Sequence, residues 1–598
     1  MIILLPTLLE LFNISRTYIQ MTNNFKILDF LSKGYISSNN YENILNQNYV
    51  NWYTGLIILI GALLYFINKK ISTKEKLASI VLILIFGLSF KFKILNFIWH
   101  GFSAPSCFNY RYSFLFSLIL ILLFVRNFEN YSENKKENYL TLILIVTVIS
   151  LIIILKNYSW INYVYVWISV FLFIIYLLML RQLHISKRKK DKTILSLLLI
   201  ILVISELTFN IFSIFRKYEF VYFNKYNDFI NSKDIIYNKK NDFYRMEYTK
   251  RNTSNDSLGL NYKGLTSFLS TNNSNIIQFL EKNGYNSKVN SVINNNNDTI
   301  IMDSLLGIKR IYTPMNLNVY DKIGQYDCSS IDGLFYDLGK MKCNIYDNKN
   351  ALGLGYMITY DEKRYLKQIK SKETNVFENQ NILLNTMTGN DIKYFKPYKV
   401  ELINATTYKY KLNDNDMIYL YIYLYTNDNE FFINFYVNNK LAFNLNYDDT
   451  GIQKTNNQWK NEEVIVNMNV NGDVNIFTVP LLYYLDNEAL ERDLKDLKKN
   501  QMKIKKVTNT YIVGTVDVKD DNKVLFTSIP YDKGWTVKVD GKKVKAQKLY
   551  NTFLGVKLKE GKHKVEFEYS TPGLKLGTSI SIISIVLMIL YLKHEKEF

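Results

Sequence analysis

Six apolar runs follow one another at short intervals between residues 50 and 214, at about 50–67, 77–90, 112–125, 139–155, 160–180 and 193–214, and a seventh lies at 576–592. A run of ~20 apolar residues crosses a bilayer as a helix, and the shorter ones reach that length by recruiting flanking residues. In lipid every backbone polar group must be satisfied within the fold, which leaves helices or closed barrels. The pattern therefore predicts a polytopic α-helical membrane bundle over 50–216 with six transmembrane helices, and one C-terminal transmembrane helix with its tail over 573–598.

Loop charges give an expected orientation. Lys69, Lys70, Lys74 and Lys76 follow the first run, Arg126, Lys135 and Lys136 the third, and Arg181, Lys187, Arg188, Lys189, Lys190 and Lys192 the fifth. The positive-inside rule places those loops in the cytoplasm and residues 217–572 outside the cell membrane, although Lys91 and Lys93 run against it. Residues 1–49 are expected to form an interfacial or extracytoplasmic segment. Its apolar start is broken by Pro6 and Glu10 and lacks a basic leader, so it does not read as a signal peptide. It reads as an interfacial or re-entrant stretch, or as the stump of a longer membrane domain.

The polar region resolves into pieces. Residues 217–374 read as α+β. Over 375–482, short aromatic and β-branched runs recur between turn signals, as in a β-sandwich. Residues 483–502 read as a helical linker, acidic early and lysine-rich late, which complements a helix dipole. Residues 503–572 read as a basic β domain with a hairpin turn at Asp540-Gly541. Residues 217–500 carry 34 basic and 34 acidic side chains, whereas 501–575 carry 16 and 8. That surplus fits anionic headgroups, a polyanionic envelope polymer or plain solubility charge.

Several chemistries lack support. The four histidines are scattered, and no Cys/His spacing suits zinc. Asp414, Asp416, Asp448 and Asp449 sit in turns without the rest of a calcium loop. Glycine-rich phosphate loops and common hydrolase motifs are absent. No cofactor is identified, a divalent metal stays open, and no nucleic-acid partner is expected. Of three cysteines, Cys328 and Cys343 share the polar region, as a disulfide or as free thiols.

The stretch from His100 to Ser113 puts a histidine, a proline and an arginine at the mouth of an apolar run. Arg111 there calls for an anionic partner, and a lipid phosphate matches its fork of donors. Alternatively it snorkels to the headgroups between Tyr110 and Tyr112. Within the sixth run, Glu206 and Asn210 are spaced i, i+4 and so share one helix face. An acid in a span is either functional or part of an interhelical hydrogen bond.

The residues His100, Gly101, Phe102, Pro105, Phe108, Tyr110, Arg111, Tyr112, Ser113 and Phe114 resemble a signature of the YfhO family of bacterial membrane proteins. Similar stretches lie at 5–9, 344–355, 529–535, 539–542, 553–556, 561–563 and 569–572. The resemblance implies a GT-C-like membrane module and a glycosyltransferase acting outside the membrane. Such an enzyme takes a sugar from an undecaprenyl-phosphate carrier to a cell-envelope polymer such as lipoteichoic acid. It also implies further N-terminal spans carrying the acidic exterior loop, so that a separate N-terminal membrane subunit, or a longer chain, completes the enzyme. On this reading Arg111 binds the lipid phosphate, with His100, Arg16, Tyr110 and Asn210 as further substrate-binding candidates. Glu206 is the fallback catalytic base or a structural partner of Arg111, and Glu10 a weaker candidate base. The partners are the lipid-linked sugar, an anionic envelope polymer and membrane lipid. A different class of function, a non-catalytic membrane-anchored envelope protein whose β-sandwich binds glycan or scaffolds an assembly, fits the same composition.

Overall fold

The structure, a computed structural model, describes residues 26–38, 49–101, 109–129, 136–215 and most of 243–596. Within the last range it leaves out 250–252, 270–271, 289–291, 295–298, 315, 318, 328–341, 371–374, 413–417, 427–431, 447–450, 456–462, 472–473, 477–478 and 522. Residues 15–220 form one compact unit, and residues 221–598 belong to another.

In the helical unit a short helix, Ile27–Ser32 (α1), precedes Leu56–Ile67 (α2), Thr73–Lys91 (α3), Lys93–Trp99 (α4), Ser113–Glu129 (α5), Lys136–Lys156 (α6), Tyr163–Ile185 (α7) and Lys189–Phe215 (α8). A helix thus stands at each expected span. Segments within α6, α7 and α8, and within the later helix Leu574–Lys596, are long and apolar enough to cross a membrane. The others differ for identifiable reasons. The run at 50–67 yields only 12 helical residues because Gly55 sits at φ +96° immediately before the first turn, a conformation that costs glycine little. Helix α3 carries Lys74, Glu75, Lys76 and Lys91 at its ends.

Apolar side chains on these helices face outward. Ile194, Leu197, Leu198, Ile200, Ile201 and Ile204 of α8 are each 46–60% exposed, an arrangement that water disfavours and lipid accepts. The protein is therefore a membrane protein. Helices α2 and α5 lie side by side and parallel. Ser113 Oγ donates to the Asn51 carbonyl at 2.7 Å at one end, and Asn68 Nδ2 to Asn127 Oδ1 at 3.0 Å at the other. Arg126 of α5 and Glu75 of α3 close that second end with bonds of 2.7 and 3.2 Å.

The other unit is β-rich. Strands Arg245–Tyr248, Ile308–Thr313, Lys342–Asp347 and Asp321–Asp327 form a sheet in that order, its first pair parallel. The sandwich packs a five-stranded sheet (Val400–Asn404, Thr407–Lys411, Glu463–Asn471, Phe432–Val437, Lys440–Asn446) on a four-stranded one (Gln453–Thr455, Ile418–Tyr421, Leu481–Leu485, Phe395–Pro397). Tyr408, Tyr410, Leu420, Ile433, Phe435, Val464 and Leu482 fill its core. Residues at its expected start form a helix instead, Val376–Thr388 (α9), because Asn375 Oδ1 accepts the N–H groups of Phe377 and Glu378 as an N-cap. Gly389, at φ +85°, follows it.

Helix Asn487–Lys499 (α10) leads to the last β region, built on a five-stranded sheet (Lys503–Val507, Tyr511–Val518, Gly561–Tyr569, Trp535–Val539, Lys542–Val544). Asp540 and Gly541 both have positive φ at its predicted hairpin, as a type I′ turn requires. Its companion sheet holds Gln547–Leu549, Phe553–Lys557, Lys523–Pro530 and, from much earlier in the chain, Gly355–Thr359. That last strand pairs with Lys523–Pro530 from Thr359↔Lys523 to Gly355↔Thr527. The expected boundary at 503 therefore cuts through a sheet. Helix Leu574–Lys596 (α11) follows Gly561–Tyr569 after a short turn.

Candidate functional site

The predicted arginine stands at the start of α5, on a platform of rings. Tyr112 stacks on Phe90 (5.4 Å between centroids) and on Trp99 (5.1 Å), and its hydroxyl donates to the Ser89 carbonyl at 2.8 Å. Tyr110 meets Phe90 edge to face at 5.9 Å. Both tyrosines are buried, whereas Arg111 between them is exposed. Tyr110 sits at φ +60°, a left-handed conformation that a bulky residue adopts only when its surroundings hold it there. The alternation follows: two rings are driven into the helical unit, and the residue between them is pushed out.

His100, the residue that caps the C-terminal end of α4, sits against this platform, its ring meeting Tyr112 edge to face at 5.9 Å between centroids. Its Nδ1 donates to the Asn96 carbonyl at 2.8 Å. Burial lowers the pKa of the ring, a backbone bond to Asn96 opposes this, and the charge of Arg111 lowers it further. Residues 102–108 of the signature, and the candidates Glu10 and Arg16, lie outside the described residues.

Glu206 occupies a different place. It is buried, and Oε1 accepts the backbone N–H of Leu56 at 2.8 Å and the hydroxyl of Tyr53, while Oε2 accepts the Tyr176 hydroxyl at 2.6 Å. Leu56 is the first residue of α2, and its preceding residue, Gly55, has no side chain to cap it. The carboxylate of α8 therefore caps another helix, where the partial positive charge of the N-terminus favours an anion. One turn on, Asn210 Oδ1 accepts the Ser37 N–H at 2.8 Å. The shared face of Glu206 and Asn210 is real, and both side chains hold backbone.

What Asn210 holds is the segment that sequence reasoning missed. Residues 32–38 are buried within the helical unit. Ile36 N–H donates to Ser169 Oγ at 3.1 Å, the Tyr35 hydroxyl pairs with Ser150 Oγ at 2.8 Å, and Trp160 Nε1 donates to Ser32 Oγ at 3.1 Å. Non-helical backbone inside a membrane unit survives only with such partners. The segment brings two charged groups with it. Lys33, fully buried, donates to the Ser38 carbonyl at 2.8 Å and lies over the rings of Tyr49 (4.9 Å) and Trp160 (5.3 Å). Asp29 Oδ1 accepts the Tyr158 hydroxyl at 2.7 Å. On the same short helix, Phe30 stacks on Trp52 at 5.1 Å and meets Phe116 at 5.5 Å, within the core under Arg111. Helix α1 thus links the arginine platform to the Asp29 and Lys33 cluster. The available signal was a Lys-Gly pair in a region otherwise rich in asparagine.

Among the described residues no group of three or more His, Cys, Asp or Glu side chains could hold a metal ion. Cys343 is disulfide-bonded; Cys328 and Cys107 lie outside the described residues.

A membrane-embedded helical unit carrying an exposed arginine on an aromatic platform, joined in one chain to a large β-rich unit, defines the class. The family model described as bacterial membrane protein YfhO matches residues 1–581, and the chain belongs to the YfhO family. It is also similar to an uncharacterized protein YfhO of Bacillus subtilis (strain 168), with 26% identity over 182 residues. That alignment covers 28% of this chain and 21% of the relative's own length.

Proposed function

We propose that the protein is a membrane glycosyltransferase, or part of one, that moves a sugar from an undecaprenyl-phosphate carrier to an anionic cell-envelope polymer on the outer face of the membrane. The observation that carries this reading is the exposure of Arg111 between two buried tyrosines. A guanidinium fixed at the end of an apolar helix is a strong receptor for a phosphate at headgroup depth. In transfer, the anomeric carbon–phosphate bond breaks and negative charge grows on the departing carrier phosphate. A prepositioned cation lowers that barrier.

A GT-C-like arrangement of the helices, an extracytoplasmic β unit and a lipoteichoic acid acceptor belong to this proposal. So does a contribution from further N-terminal membrane helices. The basic region 503–572 would meet the acceptor polymer. Glu206 is supported as a structural cap rather than as the base, since both its oxygens are occupied by donors within the fold.

Sugar transfer in membranes containing the chain tests the reading, with a labelled undecaprenyl-phosphate hexose as donor and poly(glycerol phosphate) as acceptor. Transfer that falls at least ~100-fold in Arg111→Ala is expected. Equal transfer by Arg111→Ala and the unaltered protein would remove Arg111 from the mechanism.

A further inference from the structure

One buried polar atom beside the arginine has no partner among the described residues. His100 Nε2 is shielded from solvent and makes no hydrogen bond. Its state is fixed from the other side of the ring. The Asn96 carbonyl can only accept, so the 2.8 Å contact with Nδ1 places the proton on Nδ1. In the neutral ring Nε2 is then a lone pair without a donor. Leaving a buried acceptor unsatisfied is unfavourable, and in native folds such an atom calls for an explanation, a catalytic role or a bound donor among them.

We propose that His100 Nε2 receives a hydroxyl of the substrate, and that in the transfer step it is the base for the acceptor hydroxyl. This rests on the transferase reading above and replaces the expectation that His100 is a second cation for the phosphate. The acceptor O–H proton passes to Nε2 while the acceptor oxygen bonds to the anomeric carbon. The anomeric carbon–oxygen bond to phosphate breaks, and its electron pair leaves with the polyprenyl phosphate. The imidazolium so formed keeps its Nδ1–H bond to Asn96, and the proton then leaves to water. Burial and the nearby Arg111 charge both favour the neutral resting ring, with Asn96 opposing. Among the described residues the groups that meet the ring include Arg111, the Asn96 carbonyl and Tyr112, and none of these three is an acid that would hold the proton on Nε2.

Two substitutions separate the roles. In His100→Gln an amide oxygen stands near the place of Nε2 and accepts a hydrogen bond, but it cannot take a proton; in His100→Phe neither is available. With the undecaprenyl-phosphate hexose donor and poly(glycerol phosphate) acceptor, both variants should lose ~100-fold or more in kcat at unchanged melting temperature. Diethyl pyrocarbonate gives a readout independent of activity. In a background with His184, His563 and His594 replaced by Gln, carbethoxylation of His100 should slow when the donor lipid and the polymer are added.

Loss in His100→Phe with activity kept in His100→Gln would overturn the base role and leave only hydroxyl recognition. Transfer by both variants within about threefold of the unaltered protein, or labelling that substrate does not slow, would overturn the assignment while the transferase reading stands. No transfer by the unaltered protein, either alone or co-expressed with an N-terminal membrane fragment, would overturn that reading and the base role with it.

Discussion

The carboxylate of Glu206 on α8 caps α2 through the backbone N–H of Leu56, at 2.8 Å. Two tyrosine hydroxyls, from Tyr53 and Tyr176, complete its shell. Glu206→Ala would leave an uncapped helix start, and the hydroxyls of buried Tyr176 and half-buried Tyr53 without their acceptor. The expected cost is about 3 kcal/mol, seen as a clear drop in thermal unfolding temperature in detergent. Glu206→Gln keeps one accepting oxygen and should lose less. An unchanged melting curve in Glu206→Ala would show that the cap contributes nothing.

Arg111 should behave in the opposite way. Its side chain is exposed while the flanking tyrosines carry the packing, so Arg111→Lys is expected to leave thermal stability unaltered. Lysine offers a point charge in place of a fork of donors. Binding of undecaprenyl phosphate, measured by native mass spectrometry in detergent, should weaken about tenfold, or ~1.4 kcal/mol. Equal affinity in the lysine variant would argue that only charge matters at this position.

In the β-rich unit Arg245 is half-buried and donates to the Leu306 carbonyl, to Ser528 Oγ at 2.9 Å and to the Ser528 carbonyl at 3.0 Å. Burial pulls its pKa down to about 10, and the charge of Glu247 opposes this. The side chain joins strand Arg245–Tyr248 to strand Lys523–Pro530. Arg245→Met should destabilise the unit by about 3 kcal/mol, because buried carbonyls lose their donors. Limited proteolysis should then cut within 243–313 at lower temperature. Resistance equal to that of the unaltered protein would show that Arg245 does not hold the two strands together.

Asp486 caps α10 by accepting the Ala489 N–H at 3.1 Å and pairs with Lys396 at 2.8 Å. The Lys396 bond is the largest influence and holds its carboxyl below the usual range; burial opposes it, and the Ala489 N–H and the charges of Lys396 and Arg492 add to the lowering. A depressed folded-state value means that the stabilisation is fully present above the unfolded carboxylate pKa of about 3.9 and is lost as pH falls through the lower folded value. Amide exchange at Glu488 and Ala489 should therefore accelerate in that acidic window. Asp486→Asn should shift this transition, and an exchange profile without one would contradict the assignment.

How much of this was legible beforehand differs from residue to residue. Arg111 could be found because a charged residue between tyrosines at the mouth of an apolar run is conspicuous in composition. Its exposure could not, since it depends on Phe90 and Trp99 stacking on Tyr112 from two other helices. The i, i+4 spacing of Glu206 and Asn210 was readable, but their partners, Leu56 and Ser37, lie 150 and 173 residues away. Lys33 and Asp29 escaped because a buried irregular segment has no periodicity to betray it.

By itself the sequence determined where the membrane helices and the strand-rich regions lie and that the first third is embedded in a membrane, because periodicity, turn chemistry and apolar length act locally. It also determined the family. Tertiary structure decided which carboxylate caps which helix, which strand of 217–374 joins the last sheet, and which nitrogen of His100 keeps its lone pair. Those outcomes depend on groups distant in sequence meeting at hydrogen-bond range, and no local pattern encodes that meeting.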